Sequence, residues 1–369
     1  MSPQSQPFLI PGLSSPVRKR GSVKFNYLTN YTFEVVAPQD ILSRLPLHVE
    51  SPERVEGKPD GRIDVVQAGS TPDFPPRDGV RYLELVPNHT RTCPGFDYIR
   101  YGANAKTIWR PSEHSYLIES RTRTDEMSVL DCMRDLWFSH PVSRTMALVH
   151  ASCVLVGDRG LLIVGPCRSG KTTLAVRLLT ELQGTAFVSE GLSLLSGGGG
   201  VLKTHYVTRA VYARFATFFV CNPLGEFFLS AHSRSDATQI LDRDTIARII
   251  RHRPASIDLG LNMARRRFCE ALNVPSTPTA TVSKIVFVSY SGGECNHVRE
   301  LPDWEIRLGL MRNEFPKIGG FGRIERQREI APPRTSQIQP AWLTGVRGVE
   351  LSYDGWRGLS RTLLDDLVG

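Results

Sequence analysis

The chain has 369 residues, 45 Lys and Arg against 37 Asp and Glu, a formal net charge of +8, and 41% hydrophobic residues. That composition excludes a disordered or fibrous chain and leaves room for two domains and a sizeable core. Seven cysteines, Cys93, Cys132, Cys153, Cys167, Cys221, Cys269 and Cys295, are odd in number, scattered and without a C-x-x-C pair, which argues against a disulfide framework or a zinc site.

No apolar run approaches the ~18 residues of a membrane span, and the amino terminus lacks a signal-peptide core. The expected compartment is therefore the cytoplasm, with no membrane partner. The basic balance favours anionic partners such as a nucleotide or an acidic peptide. A mildly basic surface with no specific partner is the plainer alternative. No basic run is interleaved with aromatics, so nucleic acid is not an expected partner.

Taken in order, residues 1–21 are rich in Pro, Ser and Gln and turn basic at Arg18-Lys19-Arg20. They read as a flexible basic arm. Residues 22–122 read as a β-rich accessory domain, with strands over Phe25 to Val36, Arg62 to Gln67, Tyr82 to Val86, Phe96 to Tyr101, Lys106 to Trp109 and Ser115 to Glu119. Gln39 to Leu45 reads as a short helix. The polar residues Asp60, Asp97, His48, His89 and His114 are isolated and form no catalytic cluster.

Residues 123–369 read as a second, larger domain of alternating helices and strands. Asp125 to His140 has helical spacing of Met127, Leu130, Met133 and Trp137. Ala147 to Val156 reads as one strand, joined by a tight turn at Gly157–Gly160 to a second strand, Leu161 to Val164. Cys132 and Cys153 are expected in the core.

Next comes Gly165-Pro166-Cys167-Arg168-Ser169-Gly170-Lys171-Thr172, the pattern G-x-x-x-x-G-K-T, and then Thr173. Two glycines let the backbone curl into a nest of N–H donors close to phosphate oxygens. Lys171 can reach the β- and γ-phosphates, and the Thr172 hydroxyl can ligate Mg²⁺. Arg168 is expected to point outward, and Cys167, near positive potential, is a candidate reactive thiol. Thr172 to Leu182 reads as the helix that follows, with Gly184 ending it.

Thr185 to Ser189 reads as a strand parallel to the one that feeds the loop. Glu190 then falls at the carboxyl edge of the sheet, where ligands of such sheets bind. Glu190 is a sensible general base for a hydroxyl; a capping carboxylate is the bland alternative. Strand alternation puts His150 with Leu148, Ser152 and Val154, which reads most plainly as a satisfied core histidine. Leu192 to His205 reads as a hairpin with a flexible glycine tip. Asp242 to His252 and Ile257 to Leu272 carry helical patterns, and Arg265-Arg266-Arg267 reads as a solvated face in preference to a phosphate-facing one. Pro275 to Thr279 reads as a turn, Lys284 to Tyr290 as a strand, Trp304 to Arg312 as a helix, Pro332 to Pro340 as irregular, Val346 to Ser352 as a strand and Trp356 to Leu367 as a closing helix.

The segments L-V-H-A-S-C-V, L-L-I-V-G-P-C-R-S-G-K-T-T-L-A and F-V-S-E resemble the HPr kinase/phosphorylase family, whose core is shared with phosphoenolpyruvate carboxykinases. The pattern looks most like the HPr-kinase-related proteins of gene clusters for ribosomally made peptides, lasso peptides included. The resemblance implies an α/β fold: a mixed-sheet nucleotide-binding core with a smaller β-rich amino-terminal domain. It implies ATP or GTP and Mg²⁺ as cofactors, transfer of the γ-phosphate to a Ser or Thr hydroxyl of a peptide or protein, and, by analogy, a homo-oligomer.

Residues 165–173 would hold the nucleotide, Thr172 and Glu190 the metal, and Glu190, His150 and Lys171 would be catalytic. Glu190 falls where the family has the first of two adjacent aspartates, and Gly191 stands in place of the second. A catalytically reduced nucleotide-binding or ATPase partner protein, and a kinase for a small molecule, are the competing expectations.

Overall fold

The computed structural model describes residues 20–27, 31–47, 49, 58–67, 82–86, 89–92, 98–101, 106–112, 115–120, 126–214, 217, 221, 260–290, 296–315, 336–353 and 359–369. It is a mixed α/β structure built on two large sheets.

Among the described residues the first sheet has eight strands. They are β1 (Arg20–Tyr27), β2 (Tyr31–Pro38), β3 (Gly61–Gln67), β4 (Tyr82–Val86), β5 (His89–Thr92), β6 (Tyr98–Tyr101), β7 (Lys106–Ser112) and β8 (Ser115–Ser120), in spatial order β1-β2-β3-β8-β7-β6-β4-β5. The single strand expected over 25–36 is two, paired antiparallel in register Tyr27↔Tyr31. Strand β1 begins at Arg20, so the last two residues of the expected arm belong to this sheet. The remainder of the arm, residues 1–19, lies outside the described residues, as do His48, Asp97 and His114.

Alternation in β2 turns Tyr31, Phe33, Val35 and Ala37 inward. They meet the short helix α1 (Gln39–Leu42) and the apolar face of α2 (Glu126–Ser139), including Val129, Leu130, Met133 and Trp137. Helix α2 follows the boundary drawn at residue 122, yet its buried face packs on this amino-terminal sheet.

The second sheet has ten strands: β9 (Ala147–Val149), β10 (Ala151–Val156), β11 (Arg159–Val164), β12 (Thr185–Ser189), β13 (Ser193–Gly198), β14 (Val201–Tyr206), β17 (Thr279–Tyr290), β18 (His297–Leu301), β19 (Glu314–Phe315) and β20 (Arg347–Tyr353). The pair β15 (Val211–Arg214) and β16 (Gly260–Met263) stands apart. Residues 260–263 therefore form a strand inside the segment expected as one helix, and helix α4 occupies Arg265–Leu272 only. The expected helix over 242–252 lies outside the described residues.

Among the described residues the other α-helices are α3 (Lys171–Glu181), α5 (Asp303–Arg312) and α6 (Arg361–Val368). The path along the sheet is β12-β10-β11-β17-β14-β13-β9-β19, with β20 on β17 and β18 on β20. The single strand expected over 147–156 is broken at His150. Its first half, β9, pairs with β13 and β19; its second half, β10, pairs with β11 and β12. The long β17 likewise pairs with β14 through Thr279–Thr281 and with β11 and β20 farther on. Two continuous stretches of chain thus join both halves of the sheet, which curls around a core of Ala147, Val149, Cys153, Leu162, Val164, Leu195 and Trp342.

Alternation along the central strands feeds two cores. Leu161 and Ile163 face α3, α4 and α6, whereas Leu162 and Val164 face the interior of the curl. The two-residue tip of the β13–β14 hairpin is Gly199-Gly200, with φ of 60° and 76°, a conformation in which glycine carries little steric penalty. Both cysteines assigned to the core, Cys132 and Cys153, are fully buried.

Candidate functional site

One edge of the second sheet gathers the chemistry. Strands β11, β17 and β20 are mutually parallel, and β12 runs the same way because β10 is antiparallel to both β11 and β12. Parallel strands end on one edge. Val164, Ser189 and Tyr353 close β11, β12 and β20 there. The antiparallel register Ala151↔Val164 brings the start of β10, and His150 before it, to the same edge.

The loop 165–170 leaves β11 and enters α3. Gly165 is packed so closely that an added Cβ would lie 2.5 Å from the Val288 carbonyl and 2.6 Å from Ser169 Oγ. Gly170, the residue before α3, has φ 94°, and a Cβ there would lie 2.1 Å from the Tyr353 hydroxyl. Both glycines are required by space, and the second also by backbone angle. The loop turns on itself through Ser169 N–H to Pro166 O at 3.3 Å. Arg168 has φ 69° and is exposed at the outside of the loop with Pro166 and Cys167.

Lys171 is buried, with 5% of its surface exposed. Its ammonium folds back over the loop and donates to Gly165 O at 2.8 Å and Pro166 O at 2.7 Å. Ser169 Oγ is buried and has no hydrogen-bond partner among the described residues. Thr173 Oγ1 lies 3.5 Å from Thr217 Oγ1.

Thr172, in the first turn of α3, donates its hydroxyl to Glu190 Oε1 at 2.7 Å. Glu190 follows β12 directly and is 6% exposed. Its second oxygen accepts the Tyr212 N–H at 3.3 Å, so β15 holds the carboxylate from the other side. Arg209 adds charge to this corner. Burial pulls its pKa below the usual guanidinium range, and the negative charge of Glu190 opposes that shift. Gly191 has φ 71°, and a Cβ on it would lie 3.2 Å from Arg209 Nη1. The position where the resemblance expects a second carboxylate thus carries no side chain and abuts a guanidinium.

His150 sits at the break between β9 and β10. Its N–H donates to Asn313 O at 2.8 Å, and its ring meets Phe315 edge-on at 5.4 Å. Burial, followed by the positive charges of Lys171 and Arg209, lowers its pKa to about 4. The imidazole is neutral at pH 7 and lies within electrostatic reach of the loop lysine.

The edge therefore brings together Lys171, Thr172, Glu190 and His150. It also brings two residues that motif reading missed. Tyr353 donates its hydroxyl to Gly170 O at 2.7 Å, and Arg209 flanks Glu190. Tyr353 was discernible in principle: the alternation Val349, Leu351, Tyr353 puts it on the helix-facing side at the end of a strand. Arg209 lies outside any motif and had no such signal. Of the three arginines read as a solvated face, Arg265 departs from that reading. It is 2% exposed, donates to Thr277 O at 2.7 Å, and stacks 4.0 Å from the centre of the Tyr206 ring. Arg266 and Arg267 are exposed and pair with Glu270.

No family model matches the chain, and no curated protein matches it in sequence. Among solved structures it is similar to the Hpr(Ser) kinase/phosphatase from Coxiella burnetii, at 13% identity over 60% of this chain and 87% of that one, with a TM-score of 0.27. No described helix is long and apolar enough to cross a membrane.

Proposed function

We propose that the chain is a phosphotransferase that binds a purine nucleoside triphosphate with Mg²⁺ and moves the γ-phosphate to a hydroxyl, with a Ser or Thr of a peptide or protein as acceptor. The observation that carries this reading is the Thr172–Glu190 hydrogen bond at the amino end of α3, beside the buried Lys171.

The donor set fits a magnesium nucleotide. A threonine hydroxyl whose proton goes to Glu190 keeps its lone pairs for a hard cation, and a divalent ion of this kind retains waters and phosphate oxygens in its shell. No group of three or more His, Cys, Asp or Glu among the described residues could hold a metal by itself, so the nucleotide would complete the site. The tightly packed glycines let the loop backbone bend so that its N–H groups would serve the phosphates, and Lys171 would exchange two loop carbonyls for phosphate oxygens. Glu190 would take the acceptor proton, and neutral His150 would hydrogen-bond beside the phosphates. The precursor of a modified peptide is the acceptor class to try first.

Gly191 with Arg209 against it favours one second reading. With one carboxylate instead of two, the chain would bind and slowly hydrolyse nucleotide as a partner protein.

One experiment separates the two. The protein is incubated with γ-labelled ATP and Mg²⁺, with and without a peptide acceptor, and followed by mass. Transfer predicts a phosphorylated peptide that Glu190→Gln loses while still binding nucleotide. Release of free phosphate at the same rate with or without peptide selects the second reading. No nucleotide binding by calorimetry overturns both. Lys171→Ala is expected to abolish either activity.

A further inference from the structure

Arg209 is held by its backbone and leaves its head group unengaged. Between β14 and β15 the Tyr206 hydroxyl clips it twice, donating to Arg209 O at 2.8 Å and accepting the Arg209 N–H at 3.3 Å. The phenol ring is itself stacked by Arg265, 4.0 Å from its centre. The Arg209 side chain is half-buried at the sheet edge. Among the described residues its guanidinium makes no hydrogen bond and no ion pair. A planar cation with five donors, partly withdrawn from water and given no acceptor, is costly to keep unless a ligand supplies the acceptors.

The surroundings explain why the donors stay open. The groups whose charge acts on Arg209 are Glu190, Arg134, Tyr206 and Asp131. Both Glu190 oxygens are already engaged, one by Thr172 and the other by the Tyr212 N–H. Asp131 and Arg134 of α2 pair with one another. Gly191 adds no side chain, and a Cβ on it would lie 3.2, 3.6 and 3.9 Å from Nη1, Cζ and Nη2 of Arg209. A carboxylate at position 191 would start in contact with the fork and pair with it. Glycine there keeps the fork available.

Position supplies the ligand. The site runs from the phosphate loop through Thr172 and Glu190 to Gly191 and Arg209. Loop amides and Lys171 serve one end, and Arg209 serves the other. The positive charges of Lys171 and Arg209 both act on the His150 ring, so the two cations face a common space. A nucleotide with its inner phosphates in the loop carries its outermost phosphate toward Glu190. A guanidinium fork matches two oxygens of such a group.

Resting on the nucleotide-binding reading above, we propose that Arg209 is the specificity residue for the terminal phosphate. Its fork binds the γ-phosphate of a nucleoside triphosphate and meets no phosphate in the diphosphate. Gly191 is then the partner of that role, because a side chain there would occupy the fork.

The test is calorimetry of the full chain with ATP, ADP, GTP and GDP, each with Mg²⁺. Arg209→Met is expected to weaken triphosphate binding by about tenfold or more and to leave diphosphate binding within about twofold. Arg209→Lys keeps the charge and loses the fork, and is expected to lose an intermediate part of the same triphosphate affinity. Circular dichroism checks that each variant is folded, and the lysine variant carries the test if the methionine variant is not. An unchanged ratio of triphosphate to diphosphate affinity in every folded variant, whether both affinities hold or both fall, overturns the proposal and leaves nucleotide binding standing. A wild type that binds no nucleotide overturns the proposal together with the reading it rests on.

Discussion

The hydroxyl of Tyr353 donates to the carbonyl oxygen of Gly170 across 183 residues of sequence, at 2.7 Å. The phenol closes the last strand of the parallel set, and the carbonyl belongs to the left-handed residue that precedes α3. Burial holds the phenol protonated by raising its pKa, so the bond persists through the neutral range. Tyr353→Phe is expected to lower stability by about 1 kcal/mol, the net worth of one hydrogen bond. Gly170→Ala, which adds a methyl 2.1 Å from that hydroxyl at φ 94°, is expected to lose more than about 2 kcal/mol. Urea denaturation of both variants measures the difference; a Tyr353→Phe variant as stable as the wild type would show that Tyr353 does not constrain the loop.

Thr172→Val keeps the shape of the side chain and removes the hydroxyl that Glu190 accepts. If that hydroxyl joins a metal shell, Mg²⁺-dependent nucleotide affinity should fall about 10–100-fold. Affinity measured in EDTA should change little. Calorimetry in the two conditions decides it, and an equal fall in both would place Thr172 outside the metal site.

Acid should destabilise the fold before the carboxylates titrate. His150 and His205 both have pKa values lowered to about 4, in each case chiefly by burial. An unfolded histidine takes a proton near pH 6.5, so below that point the unfolded chain binds more protons and stability falls until the pH passes 4. Because both rings are partly exposed, the loss is roughly 1 kcal/mol for each. His205 shares a hydrogen bond with Ser196 Oγ at 2.8 Å. His205→Gln is expected to flatten the pH dependence of the urea midpoint between pH 6.5 and 4; an unaltered slope would rule out its share.

Neighbouring arginines on α4 should behave oppositely. Arg265→Ala removes the guanidinium that satisfies the Thr277 carbonyl and stacks on Tyr206, and is expected to cost about 3 kcal/mol. Arg266→Ala breaks one exposed pair with Glu270 and is expected to cost less than about 0.5 kcal/mol. Thermal melts of the two variants check the ranking.

What could be read from the sequence was whatever has a local cause. The apolar run 161–164, the glycine spacing of 165–170 and the stripe of α3 specify their own conformations, and the parallel course of β11 and β12 follows from a strand–helix–strand crossover. That reasoning also placed Glu190 at the loop's edge. The strand break at His150 was not readable, because residues 147–156 contain no Gly or Pro to mark a break and the division is made by strands from elsewhere, β13 and β19 on one side and β11 and β12 on the other. Arg265 was misread for the same reason. Its burial depends on Thr277 and Tyr206, which no helical period reveals. The short strand 260–263 exists because β15 pairs with it.

The parallel order β11, β17, β20 has a bearing on biosynthesis. A ribosome delivers the loop long before it delivers the two strands that flank it, since residue 164 pairs with 287 and residue 286 with 349. Through most of translation the nascent loop has neither Val288 behind it nor Tyr353 above it. The contacts that pack the loop form only when the carboxyl-terminal strand docks, so a stalled or shortened chain would emerge with the motif intact in sequence but with the loop unsupported.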